Sequence, residues 1–258
     1  MPVKKDPSGR RSVEAEVEVP GTPEEVWAAI ATGPGISSWF VPSTVEEREG
    51  GAATANFGPG MESAGTIKIW DPPNRYVIET TEGPGPIATE WIVEARAGGT
   101  CVVRVVHSWF ASGDDWDHEF EGHAHGWRSF FRILRLYLTH FRGQPSATMQ
   151  VMRTSAEPIT QAWQALLGGL GCEGAAAGEQ CEATSDAPPF GGVVEVVGDG
   201  HPELLMRLDK PAAGIAHLFA MPMGGQVILP MRLYLFGKDS REVVARDEPS
   251  WHQWMNDR

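Results

Sequence analysis

Apolar and acidic residues alternate strictly over residues 13–19, near the start of the chain. Valine and alanine occupy one face of this stretch and glutamate the other, which predicts a half-buried β-strand. Thr22 and Pro23 follow a Pro-Gly break, and this pair predicts a helix start, because Thr caps helix N-termini and Pro suits the first helical position. A second short helix or turn is expected to carry Ile36, Trp39 and Phe40.

Short alternating runs separated by turns come next, at residues 52–57, 65–70, 76–81, 88–94 and 101–109. Such a succession predicts an antiparallel meander. Residues 116–141 then carry apolar side chains at steps of three and four, as a long amphipathic helix does. Because an antiparallel sheet with one apolar face needs a cover, we expect the sheet to curve around this helix.

The same order of patterns recurs in the second half, where Gly224-Gly225 takes the position that Gly98-Gly99 holds in the first. This predicts a tail over residues 1–11, a domain over 12–142, a linker over 143–148 and a second, shortened copy over 149–258. The second copy is also expected to be truncated, since only residues 248–256 look helical after Gly237. Residues 171–187 are expected to form a loose loop.

Composition and charge limit the classes of partner and the location that we expect for this protein. The chain has 258 residues, with 21 basic and 34 acidic side chains and a net charge of −13. This sign disfavours nucleic acid, whose binding depends on basic surfaces. No apolar run reaches the ~18 residues of a membrane span, and the polar N-terminus does not resemble a signal peptide. Three cysteines without motif spacing indicate reduced thiols, and so a cytoplasmic protein.

An ordered set of motifs carries a family resemblance. The motifs are Pro23-Glu24-Glu25-Val26-Trp27, Ile36-Ser37-Ser38-Trp39-Phe40, Asp71-Pro72-Pro73-Asn74-Arg75, Gly98-Gly99-Thr100, His107-Ser108-Trp109-Phe110 and Gly126-Trp127. Together they resemble the START-like (SRPBCC) superfamily, and most closely its branch resembling the activator of the heat-shock-protein-ninety ATPase. The resemblance implies an α+β helix-grip fold, in which an antiparallel sheet wraps around a C-terminal helix and encloses an apolar cavity.

Aromatic side chains on the inward faces supply the candidate ligand site. The predicted ligand-binding residues are Trp39, Phe40, Tyr76, Trp91, His107, Trp109, Trp127 and Phe131. An apolar pocket with a few polar groups is typical of small-molecule sites. The alternative is that these residues simply fill the core, as aromatic stripes commonly do. Our first hypothesis is a non-enzymatic cytoplasmic protein that binds a small hydrophobic molecule between sheet and helix.

Two further hypotheses follow from the same fold, which serves both enzymes and interaction proteins. A polyketide cyclase/aromatase-type enzyme would need an acid or base in the cavity, with His107 the first candidate and Tyr76 a weaker one. A protein-interaction module would bind a chaperone through exposed apolar surface. No catalytic residue is assigned, because the family branches share none that match this sequence.

No metal site or cofactor is predicted. His118, Glu119 and His123 cluster at the start of the long helix, but no helical face gathers three such ligands. The nearby acids are explained by the positive end of a helix. Proline interrupts the glycine-rich loops at residues 58–60 and 83–86, whereas a phosphate-binding loop needs backbone N–H donors.

Overall fold

The structure is a computed structural model that describes residues 3–58, 60–82, 85–110, 117–184 and 186–257, with backbone only for 82, 85 and 117–125. Contacts divide the chain into two units, Met1–Arg142 and Gly143–Arg258. Unit 1 contains these elements: β1 (Lys4–Lys5), β2 (Arg10–Pro20), α1 (Pro23–Ala31), α2 (Gly33–Ser37), β3 (Ser43–Val45), β4 (Ala52–Asn56), β5 (Glu62–Asp71), β6 (Arg75–Glu82), β7 (Gly85–Arg96), β8 (Thr100–Phe110) and α3 (Asp117–His140).

Helix α1 begins after Thr22, as the sequence predicted, and a reciprocal cap fixes its start. The Glu25 backbone N–H donates to Thr22 Oγ1 at 3.3 Å, and the Thr22 N–H donates to the Glu25 carboxylate at 2.9 Å. Pro23 occupies the first turn, where a missing N–H has no consequence. Arg142, just past α3, forms an ion pair with the same Glu25 at 2.6 Å. The cap therefore also ties α1 to the C-terminal end of α3.

Within the described residues, the strands of unit 1 form an eight-stranded antiparallel sheet in the order β1-β2-β8-β7-β6-β5-β4-β3. Its outer face carries cross-strand ion pairs such as Arg104–Glu16 and Lys68–Glu79, at 3.1 and 3.5 Å. Its inner face is apolar, and α3 lies against it through β2. The helix buries Trp127, Phe131, Leu134 and Leu138, which recur at the predicted helical spacing, and Phe141 is buried directly after it. The helix-grip arrangement is confirmed.

Two segments differ from the sequence expectation. Lys4 and Lys5 pair with Ser12 and Arg11 inside the expected tail, and Lys4 contacts Glu14 through an ion pair. The first strand of unit 2 begins at Ser146, inside the expected linker. Both segments are mainly polar in sequence, so their hydrophobic pattern gave no signal. Backbone pairing to a neighbouring strand orders them instead.

Unit 2 repeats the order of unit 1 with fewer elements. It contains β9 (Ser146–Ser155), α4 (Ile159–Gly169), β10 (Gln180–Glu182), β11 (Gly191–Val197), β12 (Glu203–Lys210), β13 (Gly214–Phe219), β14 (Met221–Met223), β15 (Gln226–Phe236) and α5 (Ser240–Asn256). Its seven strands form an antiparallel sheet in the order β10-β11-β12-β13-β15-β14, with β9 also pairing β15. Over residues 143–184 and 186–257, unit 2 has no counterpart of α2 or β3.

The glycine pairs confirm the internal repeat. Gly98 and Gly99 join β7 to β8 with φ values of 86° and 78°, and Gly224 and Gly225 join β14 to β15 with 59° and 80°. Residues 97–99 connect the paired Arg96 and Thr100, and residues 224–225 connect the paired Met223 and Gln226. Both hairpin turns need positive φ at two successive positions, which favours glycine. The second half is therefore a shortened copy of the first.

The C-terminal helix of unit 2 is longer than the sequence indicated. We expected helix only over 248–256. A proline lacks an N–H and disfavours helix before it. The structure places α5 over Ser240–Asn256, with Pro249 inside it. Trp251, Trp254 and Met255 are buried in the core of unit 2, which anchors the helix beyond the proline. Tertiary packing thus overrides the local cost of the proline.

The three cysteines, Cys101, Cys172 and Cys181, are buried free thiols. In the described part of the chain, no helix combines the length and apolarity needed to cross a membrane. The cytoplasmic location drawn from cysteine usage stays a prediction.

Candidate functional site

A cavity of about 140 Å³ lies on the inner face of the first sheet. Strands β3 to β8 supply most of its wall, and α2, the residues after it and α3 close it from the other side. Its lining residues are Ile36, Phe40, Ser43, Val45, Ala53, Thr54, Ala55, Phe57, Ser63, Gly65, Tyr76, Ile78, Thr80, Thr89, Trp91, His107 and Trp127. The lining is mainly apolar, with hydroxyl groups and one imidazole among the aromatic rings.

Trp91 is the centre of the aromatic wall and is 2% exposed. Its ring stacks on Tyr76 with centroids 6.0 Å apart and meets the edge of Trp127 at 5.1 Å. Trp127 in turn stacks on Phe40 at 5.2 Å. These separations are the favourable geometries of aromatic pairs, so the rings hold one another in place. The aromatic wall is therefore a set of rings that pack on one another.

A chain of hydrogen bonds fixes the imidazole of His107. Trp127 Nε1–H donates to His107 Nε2 at 2.5 Å, and His107 Nδ1 lies 2.9 Å from Thr89 Oγ1. An indole nitrogen can only donate, so Nε2 of His107 must accept. A neutral imidazole with Nε2 unprotonated carries its proton on Nδ1, which then donates to the Thr89 hydroxyl. The two contacts together define one tautomer.

Tyr76, which stacks on Trp91, is a further part of the aromatic wall. Its ring is fully buried, and its hydroxyl donates to the carbonyl oxygen of Ile30 in α1 at 2.5 Å. Burial raises the pKa of the Tyr76 hydroxyl well above its usual value of 10.0. A neutral phenol that already donates to the backbone is poorly suited to act as an acid or base near neutral pH. Tyr76 therefore acts as a structural wall.

The buried tyrosines predict a loss of stability in alkali. Burial also raises the pKa of Tyr234, in unit 2, to about 12. Above about pH 10 the unfolded chain releases phenolic protons that the folded chain retains, so stability falls as pH rises, by up to ~1.4 kcal/mol per pH unit for each tyrosine. Urea unfolding at several pH values should show a steeper alkaline decline for the wild type than for Tyr76→Phe. Equal slopes would contradict the burial of an ionisable Tyr76.

Of the eight predicted ligand-binding residues, five line the cavity: Phe40, Tyr76, Trp91, His107 and Trp127. Trp39 is fully buried behind the wall, where its indole N–H donates to the Ala29 carbonyl at 2.9 Å and its ring meets Trp91. Phe131 lies one helical turn beyond Trp127, against Trp91. Trp109 packs with Val13 in a separate cluster near the end of β8. Ligand contact by any of the eight stays a prediction.

Sequence analysis missed the small residues that leave the space open. Ala53, Ala55 and Gly65 line the cavity on β4 and β5. A Cβ on Gly65 would lie 2.6 Å from the Ile78 side chain and 2.8 Å from the Glu79 carbonyl oxygen, so a larger residue does not fit there. Runs such as residues 52–56 show weak apolar alternation because alanine contributes little to the pattern. The sequence signal that could have indicated this open space is a set of small residues on an inward face, opposite large aromatic residues.

The second copy offers an internal comparison. Counting along the paired strands from the two glycine turns, four cavity positions have aliphatic counterparts: Tyr76 corresponds to Leu204, Thr89 to Ala216, Trp91 to Leu218 and His107 to Leu233. All four counterparts belong to the buried core cluster of unit 2. The copies therefore share a framework but differ in the residues that form the site.

No metal site emerges from the described residues, which contain no group of three or more metal-binding side chains. The sequence predicted that His118, Glu119 and His123 do not form a metal site. Their side chains lie outside the described residues. The metal and cofactor expectations stay predictions.

In unit 1, an antiparallel sheet wraps around a C-terminal helix, with a cavity between them. A shortened copy of this unit follows in the sequence, so the chain is a tandem helix-grip protein. Residues 10–134 match the family model described as polyketide cyclase/dehydrase and lipid transport. This match covers most of unit 1. It agrees with the resemblance of the sequence motifs to the START-like (SRPBCC) superfamily. No curated protein matches the chain.

Several solved structures are similar. They include DynU16 from the dynemicin biosynthetic locus (17% identity, 95% of each chain, TM-score 0.45) and the di-domain ARO/CYC BexL (14%, 96% of this chain and 98% of that one, 0.46). A third is the Aha1 dimer from Colwellia psychrerythraea (17%, 51% of this chain and 98% of that one, 0.43). We draw no functional conclusion from likenesses at this level.

Proposed function

We propose that unit 1 binds a small, mainly apolar molecule in the cavity against Trp91 and Trp127. The observation that carries the proposal is the contrast between the copies. Unit 1 keeps an aromatic wall with an imidazole and a hydroxyl around about 140 Å³ of space, whereas unit 2 has leucine and alanine at the equivalent positions. Aromatic walls with a few polar groups are characteristic of small-molecule sites.

The volume limits the size of the guest molecule. An apolar protein cavity of ~150 Å³ accommodates benzene, whereas drug-sized ligands occupy about 300–1,000 Å³. A single six-membered ring therefore suits the cavity as it stands. A larger ligand would extend out of the cavity, which is partly open to solvent. The binding energy would come mainly from apolar area removed from water, at ~25 cal/mol per Å².

Toluene is a suitable first probe because it is one ring without a polar group. We expect toluene at about 100 times its Kd to raise the free energy of unfolding by ~2.7 kcal/mol, since it binds only the folded state. Ala53→Leu projects an isobutyl group into the cavity and should reduce binding at least tenfold. Ala64, on the exposed face of the adjacent strand, provides the matched control Ala64→Leu, which should bind toluene like the wild type. Equal binding by both variants would overturn the proposal.

A cyclase-type enzyme is the second candidate, because His107 lines the cavity with Thr89 as a polar partner. Acid–base work by Nε2 requires Trp127 to withdraw its N–H first. Heptane-2,6-dione tests this possibility: enolisation, carbon–carbon bond formation and loss of one water give 3-methylcyclohex-2-enone. Conversion that exceeds the buffer rate and disappears in His107→Gln would support an enzyme. A rate equal to buffer supports the binding protein.

A chaperone partner stays a prediction. Large apolar residues that are well exposed in the described part of unit 1 are Met61 and Phe110, and in unit 2 they are Val197, Met221 and Met223. Single exposed apolar residues are normal on protein surfaces, whereas interaction sites present contiguous patches. The cavity is therefore the stronger basis for a function.

A further inference from the structure

The polar groups that line the cavity differ in whether their hydrogens are already used. The Tyr76 hydroxyl donates to the Ile30 carbonyl, and the Ser43 hydroxyl donates to the Val41 carbonyl at 2.8 Å. The Trp127 indole N–H donates to His107. These three donors have protein acceptors and offer no hydrogen to a guest molecule without breaking an existing bond.

Thr89 differs from these groups. Thr89 lies on β7, where it pairs with Ile78 of β6 on one side and with His107 of β8 on the other. Its side chain therefore lies between theirs on the inner face of the sheet. Because Trp127 occupies Nε2 of His107, the imidazole proton is on Nδ1 and points at Thr89 Oγ1. The Thr89 oxygen is therefore the acceptor of that bond. Its own hydroxyl hydrogen has no acceptor among the residues that the structure describes.

The hydrogen bond from His107 also strengthens Thr89 as a donor. A hydroxyl oxygen that accepts a hydrogen bond is polarised, and its own O–H then donates more strongly. Thr89 is only partly buried and lines the cavity beside Trp91, so this donor faces the space that a ligand would fill. An acceptor atom placed there would complete a chain that starts at the Trp127 N–H.

We propose that Thr89 selects ligands that carry an acceptor oxygen, in the form of a small cyclic ketone or aldehyde with an otherwise apolar ring. The proposal rests on the proposed function, since it requires a ligand in this cavity. Trp127 and His107 act as positioning residues that set the direction of the Thr89 hydrogen. Unit 2 has Ala216 and Leu233 where unit 1 has Thr89 and His107, so it lacks both members of this pair.

Two ligands of matched shape test the proposal: cyclohexanone, and methylenecyclohexane, in which a CH₂ group replaces the oxygen. Calorimetry gives Kd for each, and the quantity of interest is the Kd of the alkene divided by the Kd of the ketone. A neutral hydrogen bond corresponds to roughly a fivefold change in Kd. We therefore expect Thr89→Val to lower this ratio about fivefold and to leave alkene binding nearly unchanged.

Two variants control the comparison. Thr80→Val removes a cavity-lining hydroxyl that the Trp127–His107 chain does not reach, and it should leave the ratio as in the wild type. Thr89→Ser keeps the hydroxyl and should preserve the ratio. If Thr89→Val does not fold, Thr89→Ala makes the same comparison, because unit 2 carries alanine at the equivalent position 216.

The outcomes separate the two proposals. If both ligands bind and Thr89→Val leaves the ratio unchanged, or Thr80→Val lowers it equally, the role of Thr89 is wrong while the binding function stands. If neither ligand nor toluene binds the wild type, the proposed function is wrong and the role of Thr89 with it. A ratio that falls only when the hydroxyl at position 89 is lost supports both.

Discussion

Trp91→Ala is expected to lower the free energy of unfolding of unit 1 by about 3–5 kcal/mol, the range measured for large aromatic-to-alanine changes in protein cores. Trp91 is 2% exposed and its ring contacts those of Trp39, Tyr76 and Trp127. Its removal leaves those rings without the surface that orients them. Urea unfolding followed by circular dichroism measures the loss, and toluene binding should disappear with it.

Trp91→Phe is the matched control, because it keeps an aromatic ring at the same position and should lose less than half as much stability. Wild-type-like stability in Trp91→Ala, with a change below about 1 kcal/mol, would show that the aromatic wall does not support the first unit.

Gly171→Ala is expected to destabilise unit 2 by at least ~3 kcal/mol. Gly171 follows α4 with φ of 64°, where an L-residue costs about 1–2 kcal/mol. A Cβ at this position would also lie 2.0 Å from the backbone carbonyl oxygen of Glu182 in β10, a clash that only backbone movement can relieve. Thermal and urea unfolding, followed by circular dichroism, report the effect.

Gly174→Ala separates the two causes. Gly174 has a similar φ of 69°, but a Cβ there meets no atom within 4 Å. It should therefore show only the backbone cost of about 1–2 kcal/mol. If both alanine variants lose the same stability, the close approach of Gly171 to β10 is not important.

Gly171 also illustrates what the sequence could not reveal about the fold. Residues 171–187 are rich in Gly, Ala and Glu, so their composition predicted a loose loop. The structure shows Gly171 packed against β10, and Cys172 and Cys181 buried in the core of unit 2. Short-range patterns detected the strands with strong alternation, such as β2. They could not detect a three-residue strand that is held by long-range contacts.

For the candidate site too, the sequence predicted some features and could not predict others. Alternation placed Trp91 and His107 on inward faces, because a strand has a period of two. Helical spacing placed Trp127 opposite them. The hydrogen bond that joins Trp127 to His107 depends on the rotation of α3 over the sheet, which no local pattern contains. The open space depends on Ala53, Ala55 and Gly65, whose side chains leave almost no hydrophobic signal.

The central claim is that unit 1 keeps room for a guest molecule beside Trp91, Tyr76 and Trp127. A crystal structure determined under xenon pressure tests it most directly, because xenon enters apolar cavities of this size and scatters strongly. We predict a xenon atom enclosed by these three rings and by Ala53, and none in the interior of unit 2. An interior of unit 1 filled by its own side chains, with no xenon bound there, would contradict the account.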